Sequence, residues 1–154
     1  MIKILFVCHG NICRSPMGEY ILKDMVKKLG IADKFYIASA AAHRDEIGSP
    51  VYPPARRKLG EMGISCKDKR AILLTREDYY KYDLLLGADY YNIRDMKRIC
   101  GGDPEDKIRL VLDFTDHPRD IADPWYTDDF DATADDIVRG CNGLLNYLKR
   151  EKLI

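Results

Sequence analysis

No stretch of this chain approaches the ~20 consecutive apolar residues of a membrane-spanning helix, so no membrane partner is expected. Charge of one sign is not in excess either: 25 basic residues meet 25 acidic ones. That balance removes the overall field that would draw the chain to nucleic acid or anionic lipid. Cysteine is sparse and odd in number, and Cys8, Cys13, Cys66, Cys100 and Cys141 are not spaced as a disulfide framework. A reducing compartment, the cytoplasm, is the expected location. A removable signal peptide is not expected, because strand-forming residues start at Ile2 and a functional motif is reached by Cys8. Repeats, low-complexity tracts and linkers are also missing, so residues 1–154 are expected to form one domain with a substantial core.

What is present is concentrated near the N-terminus. Ile2-Lys3-Ile4-Leu5-Phe6-Val7 has the composition of a buried strand, and Ser15 to Leu29 carry helical spacing. The segment between them, Cys8-His9-Gly10-Asn11-Ile12-Cys13-Arg14-Ser15, is therefore a strand-to-helix loop. Backbone N–H groups of such a loop converge with the helix N-terminus on one anion site. A thiolate is the reactive form of cysteine, and converging N–H dipoles beside a guanidinium favour it at Cys8. Arg14 has a planar fork that fits two phosphate oxygens. Gly10 and Asn11 suit positive φ, the Ser15 hydroxyl can donate to the Cys8 sulfur, and Pro16 suits a first helical turn.

Val7-Cys8-His9-Gly10-Asn11-Ile12-Cys13-Arg14-Ser15-Pro16 resembles the signature of the low-molecular-weight protein tyrosine phosphatases. Asp123-Pro124-Trp125-Tyr126 is similar to the loop that supplies that family's general acid. The resemblance covers essentially the whole chain. It implies an α/β fold: one domain, a four-stranded parallel sheet flanked by helices in a flavodoxin-like three-layer sandwich. It implies hydrolysis of phosphotyrosine in proteins through a cysteinyl-phosphate on Cys8, with Arg14 and the 9–15 loop holding phosphate and Asp123 as acid and base. It also implies a protective disulfide between Cys8 and Cys13. A monomer without cofactor or metal is expected.

Strands and helices alternate along the chain. Strands are expected at 2–7, 35–39, 83–87 and 108–112, and helices at 15–29, 54–62, 90–99 and 131–150. Thr75 and Asp78 suit a further helix start. Alternation of this kind gives a parallel sheet, with ligands at the carboxyl ends of its strands. Residues 113–130, rich in Asp, Pro and His, are expected to form a long loop.

Within that loop Asp123 stands apart from its acidic neighbours, with Asp120 second. Pro124 stiffens the segment, and Trp125-Tyr126 can shield the carboxyl; a shielded carboxyl beside an anion keeps its proton more readily. Trp125 and Tyr126 are expected to wall the substrate cleft. The tyrosines at 79, 80, 82, 90 and 91 are assigned no function, His9 is a bystander beyond its backbone, and His117 makes a structural hydrogen bond. Cys66, Cys100 and Cys141 are expected to behave as small buried hydrophobes. After the second strand the resemblance calls for hydroxyls and then an aromatic flanking the substrate ring. This chain has Ala42-His43 and, at the aromatic position, Asp45. Alternatives are a protein-arginine phosphatase, disfavoured because the resemblance implies Thr in such members where this chain has Ile12; an arsenate reductase, which needs relay cysteines near Leu84–Asp89; and a non-enzymatic phosphate binder.

Overall fold

Strand β1 (Ile2–Cys8) runs inside a four-stranded parallel sheet of order β2-β1-β3-β4, with β2 at Phe35–Ala41, β3 at Leu84–Gly87 and β4 at Ile108–Leu110. The computed structural model describes every residue from Met1 to Ile154. Successive side chains of a strand point to opposite faces, and β1 uses both. Ile4 and Phe6 enter one apolar core, Leu5 and Val7 the other. Helices α1 (Arg14–Lys28) and α2 (Pro53–Glu61) contribute to the first core, as does the long C-terminal helix α6 (Phe130–Arg150). The second core is closed by a single turn, α3 (Asp78–Lys81), and by α4 (Tyr90–Cys100). This is the three-layer arrangement expected.

α1 lies close on the sheet because residue 18 is glycine. A Cβ there would stand 2.5 Å from the Phe6 ring, so only glycine lets the helix start directly above the end of β1. Ile137, Cys141, Leu144, Leu145 and Leu148 form the buried face of α6, at the helical spacing read from the sequence. Cys66 and Cys100 are also buried, in different cores.

Three local expectations are corrected. β4 is shorter than 108–112: the Leu110 N–H turns aside to Asp113 Oδ2 at 2.8 Å, and Val111–Phe114 coil into a 3-10 turn. The helix foreseen after Thr75 is only the single turn at 78–81, although Thr75 N–H does bond Asp78 Oδ2 at 2.9 Å. The 113–130 segment is not all loop, because Pro124–Thr127 form a helical turn, α5, capped by Asp123.

The chain leaves β1 for β2 on one side and later returns to β3 on the other. Strand order therefore reverses at β1, and the loops after β1 and β3 part to leave a crevice at the sheet's carboxyl edge. Ile121 N–H bonds Ala88 O at 2.9 Å and pins the 121–126 segment to that same edge. No helix is long and apolar enough to cross a membrane.

Candidate active site

Cys8 ends β1, and α1 starts six residues later at Arg14. The Ser15 N–H, in the first turn of α1, donates to Cys8 Sγ at 3.3 Å, and Ser15 Oγ lies 3.0 Å from the same sulfur. Asn11 sets the direction of that hydroxyl. Its Oδ1 accepts from the Ile72 N–H at 3.1 Å, which leaves Nδ2 to donate to Ser15 Oγ at 2.7 Å and Ser39 Oγ at 3.0 Å. The Ser15 oxygen is thus already accepting, and its proton is free for the sulfur. Asn11 does this from the left-handed region, at φ 60°, as expected. Gly10 does not have a positive φ, contrary to expectation. A Cβ there would meet Glu46 Cγ at 3.4 Å, an ordinary contact, so space does not demand glycine either.

Behind Asn11 the network continues into the protein. The Ser39 hydroxyl donates to Glu19 Oε1 at 2.6 Å, and buried Glu19 is met by Lys23 at 2.5 Å and Lys69 at 3.6 Å. Burial holds the Lys69 pKa below its usual value, with Glu19 opposing. Residues 42 and 43 lack hydroxyls, and it is Ser39 on β2 that supplies Asn11 with a hydroxyl partner.

Arg14 is buried and spans three elements. One Nη1 donates to Asp89 Oδ2 at 2.7 Å and to the Ile121 carbonyl at 2.9 Å, while Nη2 faces Asp123 Oδ2 at 3.4 Å. Burial opposes its charge, but Cys8, Asp89 and Asp123 outweigh that and raise its pKa above the ordinary value. Asp123 Oδ1 accepts from the Trp125 N–H at 3.0 Å, so one carboxylate caps α5 and faces the guanidinium. Asp120 is occupied elsewhere, accepting from the Tyr90 N–H at 3.0 Å. Cys13 is buried in the same loop, and burial first, then the neighbouring Cys8 and Asp123, push its thiol pKa well up.

These groups share one cleft of about 590 Å³. Cys8, His9, Gly10, Ile12, Cys13 and Arg14 line it from the loop, and Asp123, Trp125 and Tyr126 from the far wall. Asn11 and Ser15 support the loop from behind rather than facing the cleft. Trp125 is half exposed and leans on Tyr52, with ring centroids 4.9 Å apart. Tyr126 projects into solvent at 84% exposure.

A match to the family model described as low molecular weight phosphotyrosine protein phosphatase spans residues 3–153. The chain belongs to that family. Its members are phosphoric monoester hydrolases, and the phosphatase is 34% identical to the low molecular weight protein-tyrosine-phosphatase YfkJ of Bacillus subtilis, over 99% of both chains. The crystal structure of YfkJ superimposes with a TM-score of 0.93, covering 99% of this chain and 97% of that one. The low molecular weight phosphotyrosine protein phosphatase of Gallus gallus is 33% identical over 93% of each chain. A Drosophila arginine phosphatase is 27% identical, with TM-score 0.87 over 96% of this chain and 98% of the other.

The sequence reading missed several cleft groups of the phosphatase. Asp89 was legible in principle, since it follows β3 at the carboxyl edge and Asp89-x-x-Asn92 is a capping pattern; both capping bonds are present. Tyr91, left without a role, lines the cleft with Asn92, Asp95 and Glu46. His9 is more than a backbone donor: its ring stacks on His43 at 4.1 Å, and Nε2 meets Asp45 Oδ2 at 2.7 Å. His117 is exposed and has no side-chain hydrogen bond.

Proposed function

We propose that the phosphatase hydrolyses phosphotyrosine in proteins through a cysteinyl-phosphate intermediate. The observation that carries this is the convergence, on one cleft, of the Cys8 sulfur under Ser15 with Arg14 and Asp123 in mutual contact at 3.4 Å. In the first step the Cys8 thiolate attacks phosphorus in line with the phenolic oxygen. The P–O bond breaks, and Asp123 gives its proton to the leaving oxygen. In the second step a water attacks phosphorus, Asp123 takes a proton from it, the P–S bond breaks and inorganic phosphate leaves. Arg14 and the N–H groups of residues 9–14 hold the equatorial oxygens in both steps, while the Ser15 N–H stays on the Cys8 sulfur, so the catalysis is positioning and electrostatics. The scheme draws its positive charge from Arg14 and the backbone.

An aromatic ester is favoured by the walls of the cleft, whose lining includes Ile12, Tyr91, Trp125 and Tyr126. Relatives named as tyrosine phosphatases support the same reading, while the Drosophila relative makes phosphoarginine the competitor to exclude. The proposed unit of function is one domain, residues 1–154, acting as a monomer, and five unpaired cysteines fit a reducing compartment such as the cytoplasm. The test is turnover of matched phosphotyrosine, phosphoserine and phosphoarginine peptides, with and without a chelator. Phosphotyrosine should lead in both conditions. Faster release from phosphoarginine would overturn the substrate, and loss of activity with a chelator restored by zinc would overturn the mechanism.

A further inference from the structure

Of the carboxylates that line the cleft, most are already matched by a cation. Asp89 and Asp123 face Arg14, at 2.7 and 3.4 Å. Asp95 is met by His43 at 2.8 Å, Arg98 at 3.4 Å and Arg94 at 3.7 Å, and these partners hold its pKa below the usual value against the opposing effect of burial. Asp45 and Glu46 are different. Asp45 has one oxygen on His9 and is largely exposed. Glu46 accepts only from the neutral Ser49 hydroxyl, at 3.0 Å. Neither has a lysine or arginine within salt-bridge distance, and Arg44, the cation of that loop, does not line the cleft.

The position of this pair is fixed to the phosphate loop. Ala42 N–H bonds Cys8 O at 2.9 Å and His43 N–H bonds His9 O at 3.0 Å, extending the β1–β2 ladder to the edge of the site. The stacked rings of His9 and His43 and the His9–Asp45 contact tie the side chains together as well. Glu46 lies over Gly10, within ordinary contact of where a Cβ would stand, at 3.4 Å from its Cγ. Two carboxylates are thus held at the mouth of a pocket whose one lining arginine, Arg14, is buried beneath them. The wall supplied by Trp125, Tyr126 and Tyr91 offers ring faces, which also attract cations.

We propose that Asp45 and Glu46 make the enzyme select phosphotyrosine sites with a lysine or arginine beside the phosphorylated residue and reject sites flanked by glutamate or aspartate. This rests on the phosphotyrosine activity proposed above. A basic neighbour finds unmatched negative charge at the rim, whereas an acidic neighbour meets two like charges.

Two phosphotyrosine peptides that differ only in lysine or glutamate at the flanking positions test this. The ratio of their kcat/KM values should be about five- to tenfold in favour of lysine at low ionic strength, the size expected of exposed charge pairs. It should shrink towards about twofold in roughly 0.5 M salt. Asp45→Asn with Glu46→Gln should bring the ratio close to one, and Asp45→Lys with Glu46→Lys should invert it. Equal kcat/KM values in the unaltered enzyme, or a lysine preference that survives the double neutralisation, would overturn the inference. Binding of the same peptides to Cys8→Ser, followed by fluorescence anisotropy, gives the ratio without turnover. A catalytic failure on phosphotyrosine would therefore count against the proposed function, and equal binding of the two peptides against the charge selection.

Discussion

Arg14 and Asp89 form a hydrogen-bonded ion pair of 2.7 Å, with the guanidinium almost wholly shielded from solvent and the carboxylate partly so. The other oxygen of Asp89 caps α4 through the Asn92 N–H at 2.8 Å. One side chain at the end of β3 therefore sets both the start of a helix and the aim of Arg14, the arginine proposed to hold phosphate. Asn is as good an N-cap as Asp, so Asp89→Asn should separate the two tasks. The substitution should leave Tm within about 2 °C of the parent while kcat/KM on phosphotyrosine falls about tenfold, through a looser Arg14. Asp89→Ala should lose the cap as well, at a cost of about 1 kcal/mol, or roughly 2–4 °C in a domain of this size. Thermal unfolding and steady-state kinetics on both variants check this; a large Tm loss in Asp89→Asn would mean that the pair serves stability first.

The cysteines of the phosphate loop should respond differently to peroxide. Cys8 Sγ receives two hydrogen bonds from Ser15, whereas burial and the nearby Cys8 keep Cys13 a protonated thiol. Peroxide should oxidise Cys8 first, to a sulfenic acid with release of water. Attack by the Cys13 sulfur then displaces a second water and closes a Cys8–Cys13 disulfide that dithiothreitol reopens. Cys66, Cys100 and Cys141 are buried away from the cleft, which Cys8 and Cys13 line, and should stay reduced. Mass spectrometry of the treated protein should find the 8–13 bond, and Cys13→Ser should turn reversible inactivation into irreversible loss. A bond from Cys8 to Cys66, Cys100 or Cys141 would refute the pairing.

Acid should weaken the fold through Asp95 and Asp103. At Asp103 burial opposes the charge, but the Tyr79 hydroxyl and the Lys107 and Ile108 N–H groups, at 2.7, 2.7 and 3.1 Å, outweigh it and lower the pKa. Asp95 is lowered in the same sense by His43 and Arg98 against its own burial. A folded-state pKa below the unfolded one means that the unfolded chain binds more protons as pH falls through this range. The stabilisation is therefore complete above the ordinary value of 3.8 and is lost progressively below it. Urea midpoints between pH 6 and 2.5 should fall most steeply below about 4. Asp103→Asn should cost about 1–2 kcal/mol at neutral pH and flatten that acid slope. An unchanged slope would show that Asp103 does not carry the effect and would leave it to Asp95.

Regular features with a local cause were legible before folding. The β1 apolar run, the helical spacing of α1 and α6, and the Cys8–Arg14 loop between strand and helix follow from periodicity and turn chemistry within a few residues of each site. Pro124 set Asp123 apart from its acidic neighbours in the sequence, and in the structure that carboxylate caps the helical turn that Pro124 starts. What stayed hidden depends on partners far away in sequence. Ser39 reaches Asn11 across 28 positions, and Asp89 reaches Arg14 across 75, with nothing local at either end to announce the contact. The shortening of β4 was missed for another reason. Asp113 competes for the Leu110 N–H, and a side-chain acceptor three residues on can outbid a strand ladder that the apolar pattern alone would continue.

The role proposed for Asp123 gives the sharpest kinetic prediction. Its Oδ1 is committed to the Trp125 N–H, while Oδ2, on the cleft side at 3.4 Å from Arg14, is the oxygen free to exchange a proton with a bound ester. Asp123→Asn keeps an acceptor for the Trp125 N–H and so should keep α5 in place, but it has no proton to give. A phenolate of ordinary basicity needs that proton as the P–O bond breaks, whereas a strongly electron-poor phenolate leaves without it. The substitution should therefore lower kcat on phosphotyrosine by about 10²- to 10⁴-fold and lower phosphorylation of Cys8 by an electron-poor aryl phosphate far less. Rapid-quench measurement of the first phenolate released isolates that step from the later attack of water, which also uses Asp123. A burst that remains fast with the good leaving group and slow with phosphotyrosine fits a proton donor. Equal slowing of both bursts would make Asp123 a structural cap, and the acid would have to be sought elsewhere on the cleft.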